Sequence, residues 1–241
     1  MKKFRQGWML LALTAVLVLG GSGCMGLFQQ TNENVTEAAL AYMAQRYGQE
    51  FVYAGPWGGG YDSTASKTFL VRPAGRETGQ QILVEVQKNG EQYLIRDNYL
   101  ALKYEQAVRD QLQQTAESVF GAAKTYYTAS AAAVLSPQLS ADATFEEYLW
   151  AEGSDIIATI AIPEAQYRPD LSGALEDALR IAGFQGLFRL AVLSQAQYDS
   201  VTEEQLRVVI GTKAYVSYEV LTVTHSGTQP QTEEGINHGN L

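Results

Sequence analysis

The chain reads as an α+β protein: an N-terminal helix with an antiparallel meander, followed by strands and helices alternating around a mixed sheet. Three observations carry that reading. Short runs rich in β-branched and aromatic residues, bounded by Gly and Pro, cluster between residues 51 and 96, with Asn89-Gly90 between the last two. Helical periodicities precede and follow that cluster. Ile156 to Ile162 is apolar without alternation, the mark of a central strand covered on both faces.

The elements follow in order. Asn34-Val-Thr-Glu37 has the form of a capping box, with Val35, Ala38, Ala39, Tyr42 and Met43 at helical spacing and Gly48 at the stop, which predicts a helix over 35–47. Strands are predicted over 51–54, 67–72, 81–87 and 91–96, the last two joined through Lys88-Asn89-Gly90. From Asp97 or Asn98 as cap, Ala101, Tyr104, Val108, Leu112, Ala116 and Val119 trace one long amphipathic helix to Gly121. Segments 124–130, 156–162 and 187–193 read as extended, and 144–150 and 171–182 as helical. Thr202-Glu-Glu-Gln205 caps a short helix ending before Gly211, and 213–224 is a last long strand. Residues 226–241 hold almost no large apolar side chain and read as a disordered tail. Residues 34–97 thus form a helix plus meander, and 98–225 an α/β half that is either separate or continuous with it. The opening helix and meander resemble, in topology alone, small α+β modules of the cystatin-like kind.

With 46% hydrophobic and 18% charged residues among 241, the chain can bury a substantial core. Its formal charge is -9, and removing Lys2, Lys3 and Arg5 with a leader leaves 14 basic residues against 26 acidic ones, about -12. Such a surface repels phosphate backbones, so nucleic acid is not an expected partner. A single cysteine rules out an internal disulfide.

Met1 to Arg5 is basic, and Trp8 to Leu19 is apolar but shorter than the roughly 20 residues of a spanning helix. Gly20-Gly21-Ser22-Gly23-Cys24 then supplies small residues before a cysteine. This segment, 1–23, resembles the signal peptide and lipobox of bacterial lipoproteins: Ser22 and Gly23 match, while Gly21 stands where the family usually has Leu. The resemblance implies cleavage between Gly23 and Cys24, a diacylglyceryl group on the Cys24 thiol, and a protein held on the extracytoplasmic side of the cell membrane. Two acyl chains, at about 0.8 kcal/mol per buried methylene, make a stable anchor. Residues 24–33 are then a lipidated tether, with a coil span of roughly 15–18 Å over its nine residues after Cys24. The competing reading is an ordinary secreted protein in which Cys24 is incidental.

Among candidate sites, Gly55-Pro-Trp-Gly-Gly-Gly-Tyr-Asp62 is the most unusual stretch, since Trp57, Gly58, Gly59, Gly60 and Tyr61 can form a flexible loop with stacking surfaces for a glycan or peptide. The plainer reading is a mobile connection whose aromatics fold back on the core. No Gly-Lys-Ser or Gly-Lys-Thr follows, so it is not a phosphate loop. Thr64-Ala-Ser-Lys67 is superficially similar to the Ser-x-x-Lys of penicillin-binding enzymes, but the nucleophile position holds Thr and the other motifs of that family are missing. His225 is the one histidine in folded context, too little for a structural metal site, and no cofactor is implied. Glu146-Glu147 and Glu203-Glu204 fall in first helical turns, where capping explains them. Tyr42, Tyr104 and Tyr148 are expected in the core, and Tyr215 and Tyr218 on opposite faces of the last strand. These readings point to a non-enzymatic binding or interaction module for an envelope protein or cell-wall component. The alternatives are a ligand-binding lipoprotein serving a transporter, and a hydrolase that gathers acids or a Ser around His225.

Overall fold

Among the described residues two sheets, each backed by helices, make up the fold, and the α+β class read from the sequence is what the chain adopts. The computed structural model describes residues 27–29, 35–57, 66–76, 81–129 and 138–225. The leader, the residues around Cys24, the 226–241 tail and the Asn34 cap lie outside them.

Helix α1 (Val35–Tyr47) has the predicted span and packs on an antiparallel sheet of β1 (Leu27–Gln29), β2 (Phe51–Pro56), β3 (Ser66–Pro73), β4 (Ile82–Asn89) and β5 (Gln92–Asp97), ordered β1-β5-β4-β3-β2. Strand side chains alternate between faces, so Phe69, Val71, Val84, Val86 and Ile95 meet Ala39, Tyr42 and Met43 of the helix in one core. Three local expectations are corrected here. The tether was expected to be coil, but its residues Leu27–Gln29 add a strand to β5, with Leu27 opposite Leu94 and Gln29 opposite Gln92. Strand β2 continues past Ala54 to Pro56, because a bulge between Tyr53 and Gly55 lets the ladder resume; Gly55 takes φ +149, a value suited to glycine. The hairpin turns one residue later than Asn-Gly suggests: Asn89 pairs with Gln92, leaving Gly90 and Glu91 as the loop. Gly90 alone of the two has positive φ, +64, the pattern of a type II′ turn.

The single long helix is in fact two, α2 (Tyr99–Lys103) and α3 (Glu105–Phe120), parted at Tyr104 with φ -98 and ψ 3. A tertiary contact holds that joint, since the Tyr104 hydroxyl donates to the Ala143 carbonyl and its ring packs beside Phe145 and Tyr148. Neither expected cap serves in the ordinary way. Asn98 Oδ1 accepts from the Leu83 N–H at 2.8 Å, and Asp97 Oδ1 from the Tyr99 N–H at 2.9 Å.

The second sheet orders β6 (Lys124–Tyr127), β7 (Ile156–Pro163), β8 (Gly186–Leu193) and β9 (Ser217–Val223) as β6-β7-β8-β9. Only β7 and β8 run parallel, and α5 (Asp170–Ile181) is the crossover that a parallel pair requires. Helices α3 and α5 bury one face, with Val108, Leu112, Leu175 and Leu179 set against Ile160, Ile162, Phe188 and Leu190. Helix α4 (Phe145–Leu149) opens on a capping box between Thr144 and Glu147, so Glu147 caps as expected. Helix α6 (Gln195–Ser200) has no counterpart in the sequence reading, because six residues give no period, although Ser194 and Gln197 have the box spacing. Helix α7 (Glu203–Gly211) starts on the Thr202–Gln205 box and includes Gly211. The last strand begins at Ser217, not 213, since Lys213 at φ +57 turns the chain first. Tyr215 therefore precedes the strand, and its ring stacks on Tyr218 at 5.3 Å instead of opposing it. Tyr47, Tyr99 and Leu102 pack against the cores of both halves.

Candidate functional site

Strand alternation gives the second sheet a face turned away from α3 and α5, carrying Ile157, Thr159 and Ala161 of β7 and Leu187, Arg189, Ala191 and Leu193 of β8. Among the described residues, helices α6 and α7 cover one end of it. There Ala161, Ala191 and Leu193 are buried with Val201 and Leu206, and the two alanines are small enough for the helices to sit close. One register level along, Tyr126, Thr159, Arg189 and Val220 lie side by side across all four strands. Among the described residues the cover thins at that level and ends beyond it: Val220, within the row, is 50% exposed and Ile157, the next level along, 43%. The expectation that β7 is covered on both faces therefore holds for its second half and fails at Ile157.

Between α7 and the uncovered strands lies a cavity of about 370 Å³, walled by Ile157, Leu206, Ile210 and Ala129 with Thr128, Thr159, Arg189 and Arg207 among them. The Tyr126 hydroxyl donates to the Val201 carbonyl at 3.0 Å. Burial, then the neighbouring Tyr198 and Glu203, push its pKa up, so it stays a donor. Lys124 ties α6 down by donating to the Tyr198 and Asp199 carbonyls. Arg207 pairs with Glu203 one helical turn away. Arg189, half-buried at the centre of the sheet, has no hydrogen bond or ion pair with any described residue.

No family model, curated protein or solved structure matches this chain. The groove's own chemistry must therefore speak for it. It offers a guanidinium, two threonine hydroxyls and an apolar wall, a set that can hold a ligand with a charged end and an apolar body.

The residues singled out from sequence lie elsewhere. Trp57 follows β2 and is 40% exposed, while Gly58, Gly59, Gly60 and Tyr61, like Gly23 and Cys24, are outside the described residues. His225 stacks on Trp150, ring centroids 3.7 Å apart, with Nε2 3.3 Å from the Leu149 carbonyl oxygen. No described serine or carboxylate joins it, and among the described residues no three His, Cys, Asp or Glu are grouped to hold a metal. Arg189 is not among those residues, yet it interrupts the apolar run Leu187 to Leu193 with a charge, a signal legible in the sequence.

A second polar cluster fills the junction of the halves. Asp97 accepts from the Tyr47 hydroxyl at 2.8 Å, and Arg46 donates to the hydroxyls of Tyr42 at 2.7 Å and Tyr47 at 3.0 Å and to the Leu139 carbonyl. Burial raises the Asp97 pKa, outweighing the Tyr99 N–H, the Tyr47 hydroxyl and the Arg46 charge that lower it. These groups bond one another and join α1 to the 139 loop, which is the work of a structural joint.

Proposed function

We propose that this chain is a membrane-anchored envelope lipoprotein, a non-enzymatic binding module on the extracytoplasmic side whose site is the uncovered face of the second sheet. The observation that carries the binding reading is the cavity beside Arg189, a hollow of mixed polar and apolar lining in which that charge has no partner among the described residues. The lipobox resemblance around Cys24 supports the anchor. Among the described residues no helix is long and apolar enough to cross a membrane. Two measurements test the two parts. Mass spectrometry of the mature amino terminus should find diacylglyceryl-modified Cys24, and an unmodified or uncut terminus ends the anchor. A photo-crosslinking residue at position 157, used in intact cells, should give adducts not seen from position 181, which is 87% exposed on the opposite side. The same adducts from both positions would end the binding reading.

A further inference from the structure

Arg189 stands on β8, an inner strand, between Thr159 on β7 and Val220 on β9, so its guanidinium rises from the middle of the sheet and not from its rim. The other half-buried arginines among the described residues, Arg46, Arg72, Arg96, Arg109 and Arg180, each donate a hydrogen bond within the fold. Acidic residues are plentiful, 26 against 17 basic ones, yet among the described residues none reaches Arg189. Glu203, the one carboxylate among the described residues of the cavity wall, is engaged by Arg207. A guanidinium drawn partly out of water without a counter-charge is destabilising, and an arriving oxyanion relieves that.

We infer that the groove binds a small organic carboxylate, its head paired with Arg189 and its apolar body laid along Ile157, Leu206 and Ile210. This deepens the reading of the groove as a binding site and rests on it. The planar guanidinium matches a carboxylate through two parallel hydrogen bonds, which an ammonium cannot do. The Thr159 hydroxyl, adjacent to Arg189 in register, is placed to donate a further one. Size separates a small ligand from a macromolecule: about 370 Å³ falls near the lower end of small-molecule sites, which run from roughly 300 to 1,000 Å³.

The test is calorimetric titration of the whole purified chain with sodium hexanoate, and with hexan-1-ol as the uncharged match. Hexanoate should bind saturably and at least about tenfold more tightly than the alcohol. Arg189→Gln should weaken hexanoate roughly ten- to hundredfold and leave the alcohol unchanged, with Arg189→Lys between. Ile157→Glu, at an exposed position, should supply an internal carboxylate and abolish hexanoate binding, so the test stands even if Arg189→Gln does not fold. Equal binding of acid and alcohol, unchanged hexanoate affinity in folded Arg189→Gln, or no saturation below roughly 10 mM would overturn the inference. Adducts specific to position 157 together with absent hexanoate binding would overturn the ligand class alone. Undifferentiated adducts would instead remove the binding site itself.

Discussion

Gly186 opens β8 opposite Ile156 at the start of β7, with φ +127. A Cβ there would lie 2.1 Å from the Ile156 carbonyl oxygen, 2.6 Å from its nitrogen and 2.9 Å from its carbonyl carbon. All three atoms are backbone, so no side-chain rotation relieves the overlap. Gly186→Ala must either part the two parallel strands at their origin or push residue 186 into another conformation. The φ region alone costs about 1–3 kcal/mol for a residue with a Cβ. Parting the strands also strains the bond from the Ile156 N–H to the Gln185 carbonyl, 2.9 Å long, worth roughly 1 kcal/mol, and disturbs buried Ile156. A total of about 3–5 kcal/mol is expected, a large share of the roughly 5–15 kcal/mol that holds a typical domain together. Gly48→Ala is the control, because Gly48 has φ +63 but no atom within 4 Å of its Cβ position, leaving only a left-handed penalty of about 1–2 kcal/mol. Urea unfolding followed by circular dichroism reads both, and with a slope of about 2–3 kcal/mol per molar the Gly186 variant should melt at least 1 M below the parent. If the two variants share a midpoint, the close approach of β7 and β8 is not what the glycine serves.

Three other outcomes follow from the packing and the polar clusters. Asp97 has its carboxyl pKa raised in the fold, so the stability it contributes is greatest below the ordinary carboxyl value near 4 and falls as pH rises through the folded value. The midpoint difference between parent and Asp97→Asn should therefore shift against the parent as pH goes from 4 towards 7; a constant difference would show that burial does not control this group. Thr202→Ala removes the side-chain acceptor of the Gln205 N–H and should cost about 1 kcal/mol, with faster hydrogen exchange confined to 203–211, and unchanged exchange there would contradict it. Leu112→Ala in the core of α3 should cost about 2–5 kcal/mol, whereas Ile181→Ala on the surface should stay within about 0.5 kcal/mol by the same denaturation assay.

What could be read from sequence was what local pattern decides. Helix α1 kept both its ends because its apolar spacing and Gly48, φ +63, act within a few residues. The central position of β7 followed from its unbroken apolar run. The break at Tyr104 was hidden because the Ala143 carbonyl that holds it lies 39 residues away. Strand β1 is three residues long, too short for any periodicity. Tyr215 and Tyr218 share a contact because a left-handed Lys213 re-aims the chain before β9, and a lysine at φ +57 has no compositional signature. The groove depends on where α6 and α7 stop covering the sheet. Its ingredients were partly visible, with small Ala161 and Ala191 under the helices and Arg189 set among apolar neighbours, but only the cross-strand register brings Tyr126, Thr159 and Arg189 into one row.

The short β1 strand bears on how such a body would ride on a bilayer. Leu27 already stands opposite Leu94 in the backbone ladder, three residues after position 24, so a chain between the two points can span about 10 Å at most. An acylated Cys24 would then act as a pivot and not as a leash. Encounters would be selected by how the body tilts about that point, not by the radius it can sweep.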